Sequence, residues 1–365
     1  MTGNNQHKSI LAMDTRELQE LVESLGEPSY RARQITAQLY HRLAFSYEEM
    51  TDLPVELRTR LAEMYSLHSL EPLRLAEARD GTIKGLFSLS DGCSVESTLM
   101  LYPRKSGLRG TVCVSTQVGC AVGCPFCATG QQGFERNLTS AEIIDQVLYF
   151  ARRLRDRNDA QGNGPDAVLT NIVFMGMGEP LANYDVLLAA IRHMNSAEGL
   201  NIGARNMTIS TAGLVPKIRE LAGENLQVGL AVSLHAGTDE LRNRLVPVNR
   251  TYPLAELMAA CNDYFTVTGR RVSFEYTLFK EINDSPEDAS SLGRLLRGMN
   301  CHVNLIPANN TGSSRYRPAD SARTKAFLEI VRSFHVTTTV RQSRGQDIDA
   351  GCGQLRSRAL QESGG

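Results

Sequence analysis

Hydrophobic residues recur at helical spacing through the first part of the chain. Residues 14–26 begin with a helix-capping aspartate, place leucine and valine side chains three or four positions apart, and end at a glycine. The same spacing recurs in residues 29–44 and again after Pro54. This pattern predicts a small helical domain over residues 1–70.

The hydrophobic period changes to two between about residues 73 and 102. Two Asp-Gly pairs, at 80–81 and 91–92, interrupt the alternation, and this dipeptide is typical of the turn in a β-hairpin. The stretch therefore predicts a small β-meander. We assign it to a linking extension over residues 71–105.

Strand and helix patterns alternate along the rest of the chain. Such alternation indicates parallel strands joined by right-handed crossovers. Six or seven strands of this kind form either an open doubly wound sheet or an incomplete (β/α) barrel, and in both the ligands bind at the carboxyl ends of the strands. The predicted strands are 111–119, 167–176, 204–213, 228–236, 271–279, 302–309 and 336–343. The predicted helices are 138–154, 184–196, 214–223, 253–266, 285–299 and 320–334.

Composition narrows the class of protein without identifying it. The 365 residues are 42% hydrophobic and 22% charged, as in an ordinary soluble globular protein. The formal net charge is −1, so total charge does not indicate a nucleic-acid-binding protein, although basic clusters lie at 102–110, 151–157 and 341–345. No apolar run approaches the ~18 residues of a membrane span, and the N-terminal residues lack the apolar core of a signal peptide. We therefore expect a cytoplasmic protein.

Three of the eight cysteines, Cys120, Cys124 and Cys127, lie within the sequence GCAVGCPFCATGQQGF. In a reducing compartment, clustered cysteines are usually metal ligands or catalytic thiols. A structural zinc site needs four ligands, and no histidine lies between residues 69 and 192. Three thiolates at the spacing C-x3-C-x2-C instead favour a 4Fe-4S cluster with one iron open to a further ligand.

Polar motifs follow four of the other predicted strands. GMGEP ends the second strand, STAG the third, SLH the fourth and PAN the sixth. The glycines of the first motif let the backbone approach a ligand, and Glu179 can accept a hydrogen bond from an amino group. Because the carboxyl ends of parallel strands share one edge, these motifs and the cysteine loop predict a single pocket.

The cysteine spacing, with Phe126 just before the last cysteine, resembles the radical S-adenosylmethionine (SAM) superfamily. The motifs RGTVCVSTQVGC, FMGMGEPLAN, TISTAG, AVSLHA, NLIPAN and DIDAGCGQL, in this order, resemble the RlmN-type RNA adenine-C2 methyltransferases. The resemblance implies an α/β fold with a partial (β/α)6-type radical SAM barrel, an N-terminal helical RNA-binding accessory domain and a small β extension. The implied divisions are 1–70, 71–105, 106–345 for the barrel, and 346–365 for a loop with a catalytic cysteine and the tail.

The resemblance assigns a catalytic role to three residues. A first SAM methylates Cys352, and the radical from a second SAM activates that methyl group. The resulting methylene group binds the adenine, Glu96 removes the ring proton, and Cys113 releases the product by forming a disulfide with Cys352. From its own sequence context, Glu96 is equally an exposed carboxylate on an edge strand.

The same resemblance assigns the cofactor sites. It implies one 4Fe-4S cluster and two SAM molecules per turnover. The implied cluster ligands are Cys120, Cys124 and Cys127. The implied SAM-binding residues are Gly178, Glu179, Ser210, Ser233, Leu234, His235 and Asn309.

The implied substrate is an adenosine of 23S rRNA, with the anticodon-adjacent adenosine of some tRNAs as a second substrate. The implied protein is a monomer away from membranes, reduced by a flavodoxin- or ferredoxin-type partner. Two alternatives stay open: methylation at C8, as in the related Cfr proteins, and a zinc-stabilised RNA-binding protein without catalysis. The sequences GQQGFERN and GMGEP favour the C2 group over the C8 group.

Overall fold

The computed structural model describes residues 8–105, 107–161, 167–309, 315–341 and 344–348. Cys352, to which the family resemblance assigns the methyl-carrying role, lies outside the described residues. None of the helices within these ranges is both long and apolar enough to span a membrane.

The predicted N-terminal helical region is confirmed. It contains α1 (Thr15–Ser24), α2 (Tyr30–Thr36) and α3 (Val55–Met64), and α2 continues as a π-helix over Ala37–His41. Asp14 caps α1 through a reciprocal capping box, which satisfies two backbone N–H groups at the helix start. The leucines at helical spacing are buried in one core, so the hydrophobic period determined these helices.

The predicted meander forms β1 (Leu70–Glu77), β2 (Ile83–Leu89) and β3 (Ser94–Pro103), paired antiparallel. β3 also pairs antiparallel with β4 (Leu108–Cys113), the first strand of the parallel region. The meander is therefore continuous with the main sheet, and β3 is an interior strand.

The predicted strand 111–119 is interrupted. β4 ends at Cys113, and the chain turns before β5 (Gln117–Gly119), because the Ser115 N–H donates to a glutamine side chain and not to a neighbouring strand. β5 pairs with β6 (Phe134–Asn137) in a separate hairpin, and the short helix α4 (Ala128–Gln131) lies between them.

A helix over Asp239–Leu245 was not predicted; the other remaining elements follow the predicted alternation within about three residues at most boundaries. The strands are β7 (Ala167–Phe174), β8 (Met207–Thr211), β9 (Gly229–Ser233), β10 (Val272–Leu278), β11 (Cys301–Pro307) and β12 (Thr338–Val340). The helices are α5 (Ser140–Gln161), α6 (Tyr184–Asn195), α7 (Val215–Ala222), α8 (Asp239–Leu245), α9 (Leu254–Thr268), α10 (Pro286–Leu296) and α11 (Ser321–Ser333).

Strand order decides between the two fold alternatives. In the described part of the chain the main sheet has the order β1-β2-β3-β4-β7-β8-β9-β10-β11-β12, and its strands from β4 onward are parallel. A doubly wound sheet reverses direction at a switch point. Here each crossover leads to the next neighbour, which keeps the crossover helices on one face and curves the sheet into the expected partial barrel.

Alternation along the parallel strands separates a hydrophobic outer face from a polar inner face. Ile209, Val232 and Phe274 are fully buried in the core. The residues that follow them in the chain line a cavity on the opposite face: Ser210, Ser233 and Glu275. A sheet with a polar inner face leaves room for a ligand, whereas an apolar face would be filled by side chains.

One basic cluster holds the N-terminal domain in place. Arg152 of α5 is buried and pairs with Asp145 at 3.4 Å, and Asp145 accepts hydrogen bonds from the backbone that leads into β1. Arg155 donates to the backbone carbonyls of Arg42 and Leu43. These two arginines of the cluster 151–157 therefore have a structural role between the domains.

Candidate active site

The three clustered cysteines lie on the loop between β5 and β6. The Cys120 N–H donates to the Gly133 carbonyl at 2.8 Å, and the Cys127 N–H donates to the Cys124 carbonyl at 3.1 Å. Gly119 has φ +74°, and a Cβ there would collide with the Gly133 carbonyl oxygen. The hairpin thus fixes both ends of the loop before any metal binds.

The loop has the properties expected of a cluster site. Burial raises the pKa of the Cys120 thiol to about 11 and the pKa of Cys124 further, so cluster binding must release protons. Among the described residues, no three His, Cys, Asp or Glu side chains are grouped to hold one metal ion. A zinc site brings its thiolates within about 2.3 Å of one ion, whereas each iron of a cluster takes its own thiolate. Three cysteine thiolates on one loop are a donor set that fits a 4Fe-4S cluster with one iron open to a further ligand.

The cysteine loop and the strand-end motifs line one cavity of about 370 Å³. Six of the seven residues predicted to bind SAM line it together with the three cysteines: Gly178, Glu179, Ser210, Ser233, His235 and Asn309. The side chain of Leu234 is fully buried in the hydrophobic core. β9 ends at Ser233, and the left-handed backbone of His235, with φ +57°, places the His235 side chain in the cavity while Leu234 packs into the core.

Glu179 is held in a fixed orientation by backbone donors. Its two carboxylate oxygens accept hydrogen bonds from the N–H groups of Leu181, at 3.1 Å, and Ala212, at 2.6 Å. Burial raises the pKa of this carboxyl group. Gly178 has φ +104°, and a Cβ there would lie 2.6 Å from the Gln117 side chain. The GMGEP motif therefore needs its glycine next to the carboxylate.

His235 is a neutral hydrogen-bond donor. Its Nδ1 accepts the backbone N–H of Thr277 at 2.9 Å, which leaves the proton on Nε2. Burial lowers the pKa of His235 to about 3, with a further contribution from Arg242. The ring also packs edge-on against Phe126 of the cysteine loop, with the ring centroids 5.0 Å apart.

Arg242 of α8 links the ends of two strands through hydrogen bonds, a role that no sequence motif predicted. Its guanidinium is fully buried and donates to the carbonyls of Ala212, Ser233 and Leu234 and to the Asn249 side chain. The segment DELRNRL (239–245) is rich in charged residues, carries no motif and was not predicted as a helix. Only the packing of α8 against the ends of β8 and β9 makes Arg242 part of the site.

A second cavity, of about 130 Å³, contains Glu96 and Cys113. The strand register aligns Lys84 of β2 with Thr98 of β3 and Thr98 with Cys113 of β4. Glu96 lies two residues from Thr98 and shares its face of the sheet. Strand register thus places Glu96, the candidate general base, and Cys113, the candidate nucleophile, at the same cavity although they lie on different strands.

Glu96 is a buried ion-paired carboxylate and not an exposed edge residue. Its Oε2 lies 3.1 Å from the Lys84 Nζ, and the two residues are 4% and 1% exposed. Lys84 was not predicted as part of the site, because a lysine in an alternating strand is usually solvent-exposed.

The two cavities share one wall, made by Met100, Met175, Gly176, Arg341 and Arg344. Arg344 is held beside it through an ion pair with Asp80 at 3.6 Å. The chain reaches Cys352 four residues after Ile348, the last described residue. The cavity lined by the three cysteines, called the cluster cavity below, therefore adjoins the cavity of Glu96 and Cys113. Arg344, near the start of the C-terminal segment, lies at the wall between them.

The cysteine loop leads to a direct prediction of iron content. Protein purified without oxygen should be brown and contain about four irons and four sulfides per chain. Cys124→Ala should lose the visible absorption, while Cys261→Ala, in the buried core of α9, should keep it. Stoichiometric zinc without iron-dependent colour after reconstitution would contradict the cluster.

Family models match two parts of the chain. The model described as the Radical SAM superfamily matches residues 114–292. The model described as the ribosomal RNA large subunit methyltransferase N-terminal domain matches residues 8–67. The first match covers the cysteine loop and most strands of the barrel, and the second covers the N-terminal helices.

Relatives that match nearly the whole chain are described as RNA methyltransferases. The chain is 48% identical to a probable dual-specificity RNA methyltransferase RlmN of Parafrankia sp. (strain EAN1pec), over 96% of this chain and 91% of the relative. It is 48% identical to a protein of the same description from Chloroflexus aurantiacus, over 97% and 94% of the two chains. A crystal structure of a radical SAM methyltransferase from Sphaerobacter thermophilus superimposes with a TM-score of 0.89 at 50% identity, over 95% and 98% of the two chains.

Proposed function

We propose a function from one premise: the chain belongs to the RlmN family of dual-specificity RNA methyltransferases, within the radical SAM superfamily. The protein methylates C2 of an adenosine in 23S rRNA, and a tRNA adenosine is its second substrate. The observation that carries this proposal is the shared wall between the cysteine-lined cavity and the cavity of Glu96 and Cys113.

Cys120, Cys124 and Cys127 hold the 4Fe-4S cluster in this proposal. The cluster and SAM, when bound, supply a 5′-deoxyadenosyl radical able to remove hydrogen from a methyl group. Glu179, fixed by two backbone N–H groups, accepts a hydrogen bond from the amino group of SAM. His235 offers its Nε2–H as a neutral donor and so adds no charge to the cavity.

The chemistry of adenine explains the need for a methyl-carrying cysteine. C2 is an electron-poor C–H carbon, so it does not displace the methyl group of SAM directly. We propose that one SAM methylates Cys352 and that a second SAM is consumed in activating this methyl group. Cys352 thus carries the one-carbon unit to the base, which accounts for two SAM molecules per turnover.

Glu96 and Cys113 act after the carbon–carbon bond has formed. Glu96 takes the proton from the adenine carbon as general base. The one electron that leaves the adduct would be accepted by the iron–sulfur centre, when bound. The Cys113 thiolate then attacks the Cys352 sulfur: the S–S bond forms, the S–C bond breaks with its electron pair left on the carbon, and this carbon takes up a proton to become the methyl group. Both residues face one cavity, and that cavity adjoins the cluster site, as these two steps require.

RNA recognition involves basic residues beside the shared wall. The guanidinium groups of Arg109 and Arg344 each lie about 5 Å from the centroid of the Tyr102 ring. The tertiary structure thus combines the basic clusters 102–110 and 341–345. We propose that they contact phosphates around an unstacked adenosine, so RNA affinity should fall as salt rises.

The remaining assignments follow the family premise. We propose a monomer that receives electrons from a flavodoxin- or ferredoxin-type protein. We place it in the cytoplasm, where thiols stay reduced. In agreement, no disulfide joins any two of the described cysteines.

The nucleoside product tests the proposed function. Incubation of the cluster-loaded enzyme, SAM and a reductant with unmodified rRNA should yield 2-methyladenosine, identified by mass spectrometry against both methyladenosine standards. Cys352→Ala should yield none, because no other residue carries the methyl group. 8-Methyladenosine as the main product would overturn the C2 assignment, and the absence of both products on rRNA and tRNA would overturn the whole proposal.

A further inference from the structure

A buried carboxyl group in the cluster cavity has no role in the reaction described so far. Glu275 of β10 is 5% exposed and lines the cavity. Its Oε1 accepts a hydrogen bond from the Asn304 side chain at 2.8 Å. Its Oε2 is buried without a hydrogen-bond partner among the described residues. Leaving such an oxygen unpaired costs about 1–3 kcal/mol, so its position indicates a ligand that binds it.

The environment of Glu275 suits a hydroxyl group as that ligand. Burial raises the pKa of the carboxyl group, while Asn304 and the Arg341 guanidinium act in the opposite direction. A hydroxyl can donate to an ionised carboxylate and can accept from a protonated one. A hydroxyl partner therefore satisfies Oε2 whether the carboxyl group is ionised or protonated. An ammonium group can only donate and a carbonyl can only accept, so each of them fits one protonation state alone.

The strand register indicates which molecule carries the hydroxyl. Glu275 is aligned with Ser233 on β9 and with Asn304 on β11. Neighbouring strands are about 4.8 Å apart, so side chains of one row reach the same ligand. Ser233 is one of the proposed SAM-binding residues and lines the same cavity. The part of SAM that reaches Ser233 therefore lies within reach of Glu275.

We infer that Glu275 binds a ribose hydroxyl of SAM, an inference that rests on the proposed function of the cavity. Glu275 lies in the middle of β10 on the face that lines the cavity, and a carboxylate of a parallel sheet is a known type of partner for a nucleotide ribose. Asn304 fixes the carboxyl group through Oε1 and leaves Oε2 for the sugar. The target nucleotide also carries a ribose, so the experiment must distinguish the two sources.

Binding without turnover tests the inference. SAM and its 2′-deoxy and 3′-deoxy analogues are titrated calorimetrically into cluster-loaded enzyme without reductant. The wild type should bind one deoxy analogue at least about tenfold more weakly than SAM, the size expected for a hydrogen bond to a charged group. Glu275→Met, similar in size, should bind SAM and that analogue equally. Glu275→Gln should recover part of the discrimination, because its amide still bonds a hydroxyl.

Controls separate this role from a structural one. Ser273→Ala, two residues earlier on β10, should discriminate like the wild type. All variants are compared by melting temperature and by the visible spectrum of the cluster. Unchanged discrimination in a folded Glu275→Met would overturn the inference. In a different outcome, Glu275→Met discriminates between SAM and its analogue like the wild type, but no longer between normal rRNA and rRNA with a 2′-deoxy target adenosine. That result would assign Glu275 to the RNA substrate and would also overturn the inference. A wild type that binds no SAM would refute the proposed function itself.

Discussion

Cys113→Ala should leave RNA covalently attached to the protein through Cys352. Cys113 ends β4 and lines the same cavity as Glu96. Without its thiolate, no nucleophile displaces the Cys352 sulfur from the methylene group after the carbon–carbon bond has formed. Labelled RNA should therefore migrate with the protein on a denaturing gel, and nuclease digestion followed by peptide mass spectrometry should locate the adduct.

Two further variants make this result specific. The adduct should be absent from the double variant Cys113→Ala, Cys352→Ala, because the residue that forms it is missing. Cys301→Ala, which changes a buried core cysteine at the start of β11, should turn over freely without an adduct. Normal turnover by Cys113→Ala would show that this thiol is dispensable.

Breaking the Lys84–Glu96 pair should destabilise the protein and abolish methylation. Both side chains are almost fully buried, with 3.1 Å between nitrogen and oxygen. Removing one partner of a buried ion pair costs about 3–5 kcal/mol, because the remaining buried charge loses the attraction of that partner. Lys84→Met and Glu96→Gln should therefore each lower the melting temperature by several degrees, measured without oxygen on cluster-loaded protein, and neither should release 2-methyladenosine.

The double variant Lys84→Met, Glu96→Leu separates stability from catalysis. It removes both charges, so most of the lost stability should return. Activity should stay absent, because no base remains to take the adenine proton. Lys217→Met is the matched control, since its pair with Glu220 is largely exposed and contributes at most about 1 kcal/mol. A double variant that methylates RNA at the wild-type rate would exclude Glu96 as the base.

Local sequence patterns predicted most elements, because they depend on residues close together in the chain. The α/β alternation predicted the parallel strands, and the capping aspartate predicted the start of α1. The interruption between β4 and β5 was not predictable, since it depends on a hydrogen bond from Ser115 to Gln146, 31 residues away. The burial of Leu234 was not predictable either, since it lies after the end of β9 and next to His235, whose backbone is left-handed.

The sequence by itself predicted the cluster ligands and the family, because the three cysteines lie within eight residues and need only a short loop to act together. The tertiary structure alone decided the partners of the candidate catalytic groups. Lys84 reaches Glu96 only through strand register, and Arg242 reaches the ends of β8 and β9 only through the packing of α8. Register and packing bring together residues distant in the chain, and no local pattern specifies which of them will meet.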